Sequence, residues 1–291
     1  LINATASARS ENSLCILYMV IAMAGFAIED AVIKQLSYDM PISQILVLVG
    51  LCGSLAFAVI AALKSIALFG PNLANWRFVG RTFCELSSAI FFVSAIVYAS
   101  LSASSAILQA APLVVAMGGA LFLGQAVSTR QWVLIGAGFA GVLLIIQPGM
   151  QGFQPAALLA VVAVILLAIR DLLTRSIAGS IAPITISFWA FFALFLAGVV
   201  TIPVFGEFSP IRPAHLGLLC LSTIAGAGAY FAVVLATRGG DVAVVAPFRY
   251  SRLVFALMLS VVFFDETVNA AMLAGSALVI VSGLATLRRS R

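Results

Sequence analysis

Charge is what this chain has least of. Only 9% of its 291 residues are Asp, Glu, Lys or Arg, against 63% hydrophobic residues and a mean hydropathy of +1.20, whereas about 25% of a soluble domain is charged. That excludes an ordinary soluble globule and points to a polytopic membrane protein. The net charge of +5 does not reverse this, because the basic residues are scattered through short loops and the C-terminus. No patch is large enough for nucleic acid. A single histidine, His215, cannot supply an H-E-x-x-H metal cluster, and Asp30, the only aspartate deep in a hydrophobic run, cannot supply the apposed pair of an aspartyl protease. The four cysteines, Cys15, Cys52, Cys84 and Cys220, lie in four different hydrophobic segments without C-x-x-C spacing, so neither a disulfide framework nor a zinc site is suggested. The longest gap between hydrophobic runs, Lys64 to Val79, is sixteen residues, too short for a soluble domain or a nucleotide-binding motor. We therefore expect no metal, no cofactor and no enzymatic activity. The first thirteen residues lack a charged region followed by a small-residue cleavage site, so no removable signal peptide is expected.

Long hydrophobic runs are what the chain has in abundance. Windows of about 20 apolar residues, the length that crosses a hydrocarbon core, predict an all-α integral membrane protein with ten transmembrane helices. They fall at 14–33, 42–63, 80–99, 104–123, 130–147, 155–174, 184–204, 214–236, 242–264 and 270–287. The turn-rich stretch QPGMQGFQP divides them into a first five-helix repeat, 14–147, a linker, 148–154, and a second five-helix repeat, 155–287, with tails 1–13 and 288–291. Two halves with an odd number of spans insert in opposite orientations, the geometry of inverted-repeat transporters.

Lys and Arg are retained on the cytoplasmic side. With the N-terminus inside, the inner side holds Arg9, Lys64, Arg77, Arg81, Arg130, Arg170, Arg175, Arg238, Arg288, Arg289 and Arg291, against Lys34 and Arg212 outside. This predicts a multi-pass protein of the cell inner membrane with both termini cytoplasmic.

The most costly stretch is the ninth predicted span, which carries Pro247, Arg249, Tyr250 and Arg252. At a rise of 1.5 Å per residue from Asp241, Arg249 would lie roughly 12 Å deep and Arg252 roughly 16 Å deep. An arginine near the bilayer centre costs about 2.5–3.5 kcal/mol on insertion scales, so each needs an acidic partner, a wet cavity or an anionic ligand. Two readings are open: an ion-pair network holding the bundle together, or a guanidinium fork that captures a substrate carboxylate. Tyr250, Tyr98, Tyr230 and Trp189 either stack on a substrate or pack and anchor at the interface. Gln109 either bridges helices or lines the path. Glu29 and Asp30 are candidates for proton coupling, with a local Asp30–Lys34 pair as the alternative. Glu85 is expected either to neutralise Arg249 or to bind substrate. Pro112 and Pro247, in the fourth span of each half, mark irregular helices near a midplane site. With Gly226 and Gly228, which either pack tightly or permit bending, they are the expected hinges. The literal G-x-G-x-x-G at Gly136–Gly141 lies inside an apolar helix with no preceding strand, so it is read as helix packing, together with Gly275 and Gly283.

The patterns ASSAILQAAPLVVAMGGALFLGQAVSTRQWVLIGAGFAGVLLI and DVAVVAPFRYSRLVFALMLSVVFFDETVNAAMLAGSALVIVSGL, with Tyr98-Ala99 before the third loop, resemble the EamA type of the drug/metabolite transporter superfamily. The resemblance spans Leu14 to Arg288. It implies ten helices in two five-helix repeats and secondary transport, often export, of a small metabolite by alternating access through a central cavity. Gln125 stands where the usual acid would follow Gly124, whereas Asp265-Glu266 keeps acids in the second half. Within that family the exporters of amino acids, including aromatic ones, suit a cavity offering arginine, carboxylate and aromatic groups. Carriers of riboflavin, S-adenosylmethionine or nucleobases are the alternative, ahead of a channel, a scaffold or an intramembrane enzyme. The expected partners are a small-molecule substrate and the lipid bilayer; the oligomeric state is open.

Overall fold

The computed structural model describes residues 2–123, 128–149, 153–177, 181–239 and 242–287. Gln125, the middle of the expected linker and the tail 288–291 lie outside the described residues. Within them every regular element is helical: α1 (Ile2–Leu36), α2 (Ile42–Leu63), α3 (Trp76–Tyr98), α4 (Leu101–Leu108), α5 (Ala111–Leu123), α6 (Thr129–Ile146), α7 (Ala157–Ser176), α8 (Pro183–Phe205), α9 (Pro213–Gly239), α10 (Val242–Val245), α11 (Ser251–Phe264) and α12 (Ala270–Leu287), with short 3₁₀ turns at Pro71–Ala74 and Ala246–Tyr250. Among the described residues nine helical segments are long and apolar enough to cross a membrane, and Ala270–Thr286 is a shorter apolar helix.

Local chemistry sets the helix ends. Asn75 accepts the backbone N–H of Arg77 at the start of α3, and Ser100 accepts that of Ala103 at the start of α4. Ser128 and Gln131 form a reciprocal capping box at α6. Pro183 occupies the first turn of α8, where its missing N–H costs nothing.

The fourth and ninth spans are broken, as their prolines predict. Pro112 lacks an N–H and its ring crowds the carbonyl four residues back. That residue is Leu108, where α4 stops; the chain turns through Gln109 and Ala110 before α5 begins at Ala111. In the ninth span the single turn of α10 gives way to the 3₁₀ segment containing Pro247, and regular helix resumes at Ser251.

Four helix pairs carry most of the packing: α2 on α8, α1 on α9, α3 on α7, and α6 on α12. In span numbers these are second with seventh, first with eighth, third with sixth, and fifth with tenth. Advancing every span by five returns the same set of pairs. Lipid is as apolar as a leucine face, so such contacts rely on close packing rather than on hydrophobic exclusion. The fifth and tenth spans approach so closely that a Cβ at Gly141 would meet the carbonyl of Gly275 at 2.7 Å, and the reverse substitution would meet that of Gly141. Of the G-x-G-x-x-G residues, then, Gly141 packs backbone against backbone and Gly138 lies on Leu113, while Gly136 faces open space.

Candidate functional site

Three polar clusters lie within this apolar bundle. The first joins the third, sixth and eighth spans. Arg81, 1% exposed, donates to Glu85 Oε2 at 2.9 Å, to Thr174 Oγ1 at 3.3 Å and to the hydroxyl of Tyr230 at 3.4 Å. Arg170 grips both oxygens of the same Glu85, at 2.9 and 3.1 Å, and turns its other edge to Asp171 at 2.7 Å. Sharing one carboxylate between two guanidinium groups is a means of holding buried charge that each member could not sustain alone. Glu85 is thus committed to Arg81 and Arg170, not to Arg249. Arg81 and Arg170 are also not loop charges: they lie inside the spans Trp76–Tyr98 and Ala157–Thr174, so they leave the cytoplasmic count on which the expected orientation drew.

The second cluster joins the first, fourth and ninth spans. Arg252 donates to Asp30 Oδ2 at 2.6 Å, and its guanidinium lies over the rings of Phe26 and Phe92 at 5.1 and 5.6 Å, so aromatic faces supply part of what water would have given. Asp30 therefore pairs across the bundle, not with Lys34 along its own helix. Arg249 is exposed and has no carboxylate partner among the described residues. Gln109, at the break in the fourth span, donates to the carbonyl of Tyr250 at 3.1 Å and to that of Arg249 at 3.4 Å. It bridges helices, and it does so between the two breaks. Tyr250 is buried with its hydroxyl against Gly283, where that oxygen has no hydrogen-bond partner. Glu29 has no hydrogen-bond or ion-pair partner among the described residues; its carboxylate lies on the bare backbone of Gly226. A Cβ at Gly228 would meet open space.

The third cluster closes one end of the bundle. Glu266, in the loop between α11 and α12, accepts Lys34 Nζ at 2.5 Å, the backbone N–H groups of Leu101 and Ser102 at 2.7 and 2.9 Å, and the Ser102 hydroxyl at 2.6 Å. Burial alone would raise its pKa, but the hydrogen bonds from Lys34 and Ser102 outweigh it and hold the carboxyl below the ordinary glutamate value. At the same end His215 meets Asp39 at 3.2 Å, and Gln44 exchanges two hydrogen bonds with the backbone of Ser209.

The remaining expected site residues lie apart from these clusters. Trp189 donates to the carbonyl of Leu68 and sits among Phe69, Phe78, Phe188 and Phe192. Tyr98 is 58% exposed at the end of α3, its ring near Phe205. Sequence reasoning counts Arg81 and Arg170 as cytoplasmic charges, offers Lys34 as a partner only for Asp30, and takes Glu266 only as an acid kept in the second half. The spacing of Arg81 and Glu85, four residues apart on one helix, was the available signal for the first cluster. Among the described residues no group of three or more His, Cys, Asp and Glu could hold a metal ion.

Known proteins resemble the chain over 58% to 97% of its length. It is 27% identical over 219 residues to a riboflavin transporter of Rhizobium johnstonii, covering 73% of this chain and 70% of that one. An S-adenosylmethionine uptake transporter of Rickettsia felis is 25% identical over 58% of this chain and 57% of its own. A pseudopaline exporter of Pseudomonas aeruginosa is 23% identical over 95% of this chain and 96% of its own. A solved crystal structure, 16% identical, superposes with a TM-score of 0.64 over 97% of this chain and 99% of that one, which is agreement in fold. The EamA-like transporter family matches twice, at residues 13–147 and again at 154–288. With both stretches matched and the relatives all carriers of small molecules, the chain belongs to the EamA-like transporter family.

Proposed function

We propose that this protein is a secondary carrier that exports amino acids, aromatic ones included, across the cell inner membrane by alternating access. In this reading the two halves insert in opposite orientations, both termini are cytoplasmic, and the Lys34–Glu266 end faces outward. The observation that carries it is the meeting of the two broken spans. Gln109 reaches from one break to the carbonyls of the other, beside the Arg252–Asp30 pair, and irregular helices in corresponding positions of two halves are where such carriers bind their cargo. Arg249, exposed and without a carboxylate partner among the described residues, is the guanidinium left to take a substrate carboxylate. Arg252 shapes the same region through Asp30. Gln109 and Tyr250 stand at the joint of the two breaks, Tyr230 is held by Arg81 in the neighbouring cluster, and Pro112, Pro247 and the glycines at 226 and 228 let the spans bend. Trp189, held on Leu68, and Tyr98, beside Phe205, lie outside this region, and Glu29 is the candidate for carrying charge.

A second reading, a carrier of riboflavin or S-adenosylmethionine, draws on the names of the relatives. Counterflow in proteoliposomes separates the two. Vesicles preloaded with an aromatic amino acid, riboflavin or S-adenosylmethionine are expected to accumulate the matching label without ATP, with the amino acid exchanged fastest. Arg249→Ala is expected to abolish that exchange while leaving the thermal midpoint nearly unchanged, because the exposed side chain it removes has no ion-pair partner among the described residues. Exchange of riboflavin alone would move the assignment to the second reading, and full exchange by Arg249→Ala would remove Arg249 from the site.

A further inference from the structure

The two family matches begin at 13 and 154 and end at 147 and 288, an offset of 141 at both ends. Applied to the first cluster, this offset yields a correspondence that the contacts support. Arg170 corresponds to Glu29, and Glu85 to Gly226. Arg170 pairs with Glu85 across the sixth and third spans; Glu29 lies on Gly226 across the first and eighth spans. The same contact between the halves occurs twice with different residues. In one of the two contacts a cation meets a carboxylate. In the other the carboxylate sits on the first member, and the second member is a glycine with nothing to offer. One turn earlier, the position of Arg81 corresponds to Ser222, whose buried hydroxyl has no partner. The neighbouring acid cannot be confused with this one, since Asp30 is already neutralised by Arg252. Glu29 is therefore the carboxylate of the central region that has no hydrogen-bond or ion-pair partner among the described residues; Arg252 acts on it only from its seat on Asp30.

An uncompensated carboxylate inside a membrane bundle is costly, and such residues mark the path of what is carried. We propose that Glu29 is the seat of a cationic group, an ammonium or sulfonium, on the transported molecule, occupying the role that Arg170 plays for Glu85. This rests on the carrier reading above and adds to it the charge of one end of the cargo. The glycine at 226 is part of the device. Any side chain there would collide with the Glu29 carboxylate, and an acidic one would set two like charges together.

The test measures equilibrium binding to the purified protein in detergent, followed by tryptophan fluorescence, using S-adenosylmethionine as a probe with a fixed sulfonium and riboflavin as an uncharged one. Glu29→Gln is expected to weaken the sulfonium probe about tenfold or more, as loss of a charge-assisted contact requires, and to change riboflavin less than about twofold. Equal weakening of both probes, no weakening of either, or binding by the wild type of riboflavin alone would overturn the proposal. Counterflow on the same preparations isolates the underlying reading: binding without exchange refutes a carrier and leaves the cation site standing. Folding is controlled by rebuilding the partner. Glu29→Arg alone is expected to lower the thermal midpoint, and adding Gly226→Glu to restore it by recreating the Arg170–Glu85 pair, with sulfonium binding still lost. If the second substitution restores nothing, the correspondence between the halves is refuted.

Discussion

Glu266→Gln removes one charge and almost no volume, and the geometry around it fixes what should follow. The carboxylate accepts four hydrogen bonds, one from an ammonium and two from the free backbone N–H groups at the start of α4, where the helix dipole favours negative charge. Lys34 and Glu266 side chains are only 8% and 11% exposed, so solvent does little to screen them. An amide retains one acceptor oxygen but turns an NH₂ towards a site whose ammonium and two backbone N–H groups can only donate, and it leaves Lys34 buried without a counter-charge. Breaking a buried pair in this way costs about 3–5 kcal/mol. At about 2 °C per kcal/mol for a chain of this length, the thermal midpoint should fall by roughly 6 °C or more, followed by the fluorescence of Trp76, Trp132 and Trp189. Adding Lys34→Met should recover much of the loss, since an apolar replacement for a buried pair is often nearly neutral. The pH dependence has a definite sign. The folded pKa of Glu266 lies below the ordinary 4.5, so its contribution is complete above about 4.5 and disappears as pH falls through the lower folded value. Glu266→Gln should flatten the acid limb of the midpoint-against-pH curve. A midpoint within about 1 °C of wild type at pH 7, or an unchanged acid limb, would refute this account of the cluster.

Two further substitutions probe the packing and the breaks. Gly275→Leu forces a side chain against the backbone of Gly141, overpacking that costs about 1–3 kcal/mol; the yield of monodisperse protein on gel filtration should fall sharply, while Gly136→Leu, facing open space, should leave it unchanged. Gln109→Leu removes the donor to the Tyr250 carbonyl, with a stability cost of about 1 kcal/mol. Exchange in counterflow is expected to fall far more than that small loss of stability would produce.

The ten apolar runs were legible because hydrocarbon thickness leaves a chain little freedom in how long they are, and the breaks at Pro112 and Pro247 because proline's missing N–H acts locally. The charge pairings were not legible, for the opposite reason. Along the helix Lys34 is the natural neighbour of Asp30, yet Lys34 pairs with a residue 232 positions away and Asp30 with one 222 away. No periodicity reports on partners that distant. Arg81 and Arg170 were misread because a basic residue within a turn or two of a span's end looks the same whether it reaches for the interface or turns inward; only the carboxylate across the bundle distinguishes them. Glu85 illustrates the same limit, since its neighbours in sequence identify Arg81 but not Arg170. Trp189 and Tyr98 carry no local mark that separates packing from binding, and their surroundings emerge only when α8 is laid against the loop after α2 for Trp189 and against the end of α3 for Tyr98.

The link from Gln109 to the carbonyls of Arg249 and Tyr250 has a consequence for how the molecule tolerates change. A kinked helix standing alone can straighten or sharpen its bend at small cost, but here one side chain splices the two kinks into a single joint. Strain introduced at either proline therefore spreads to the other break, and damage at one should be relieved by a compensating change at the other.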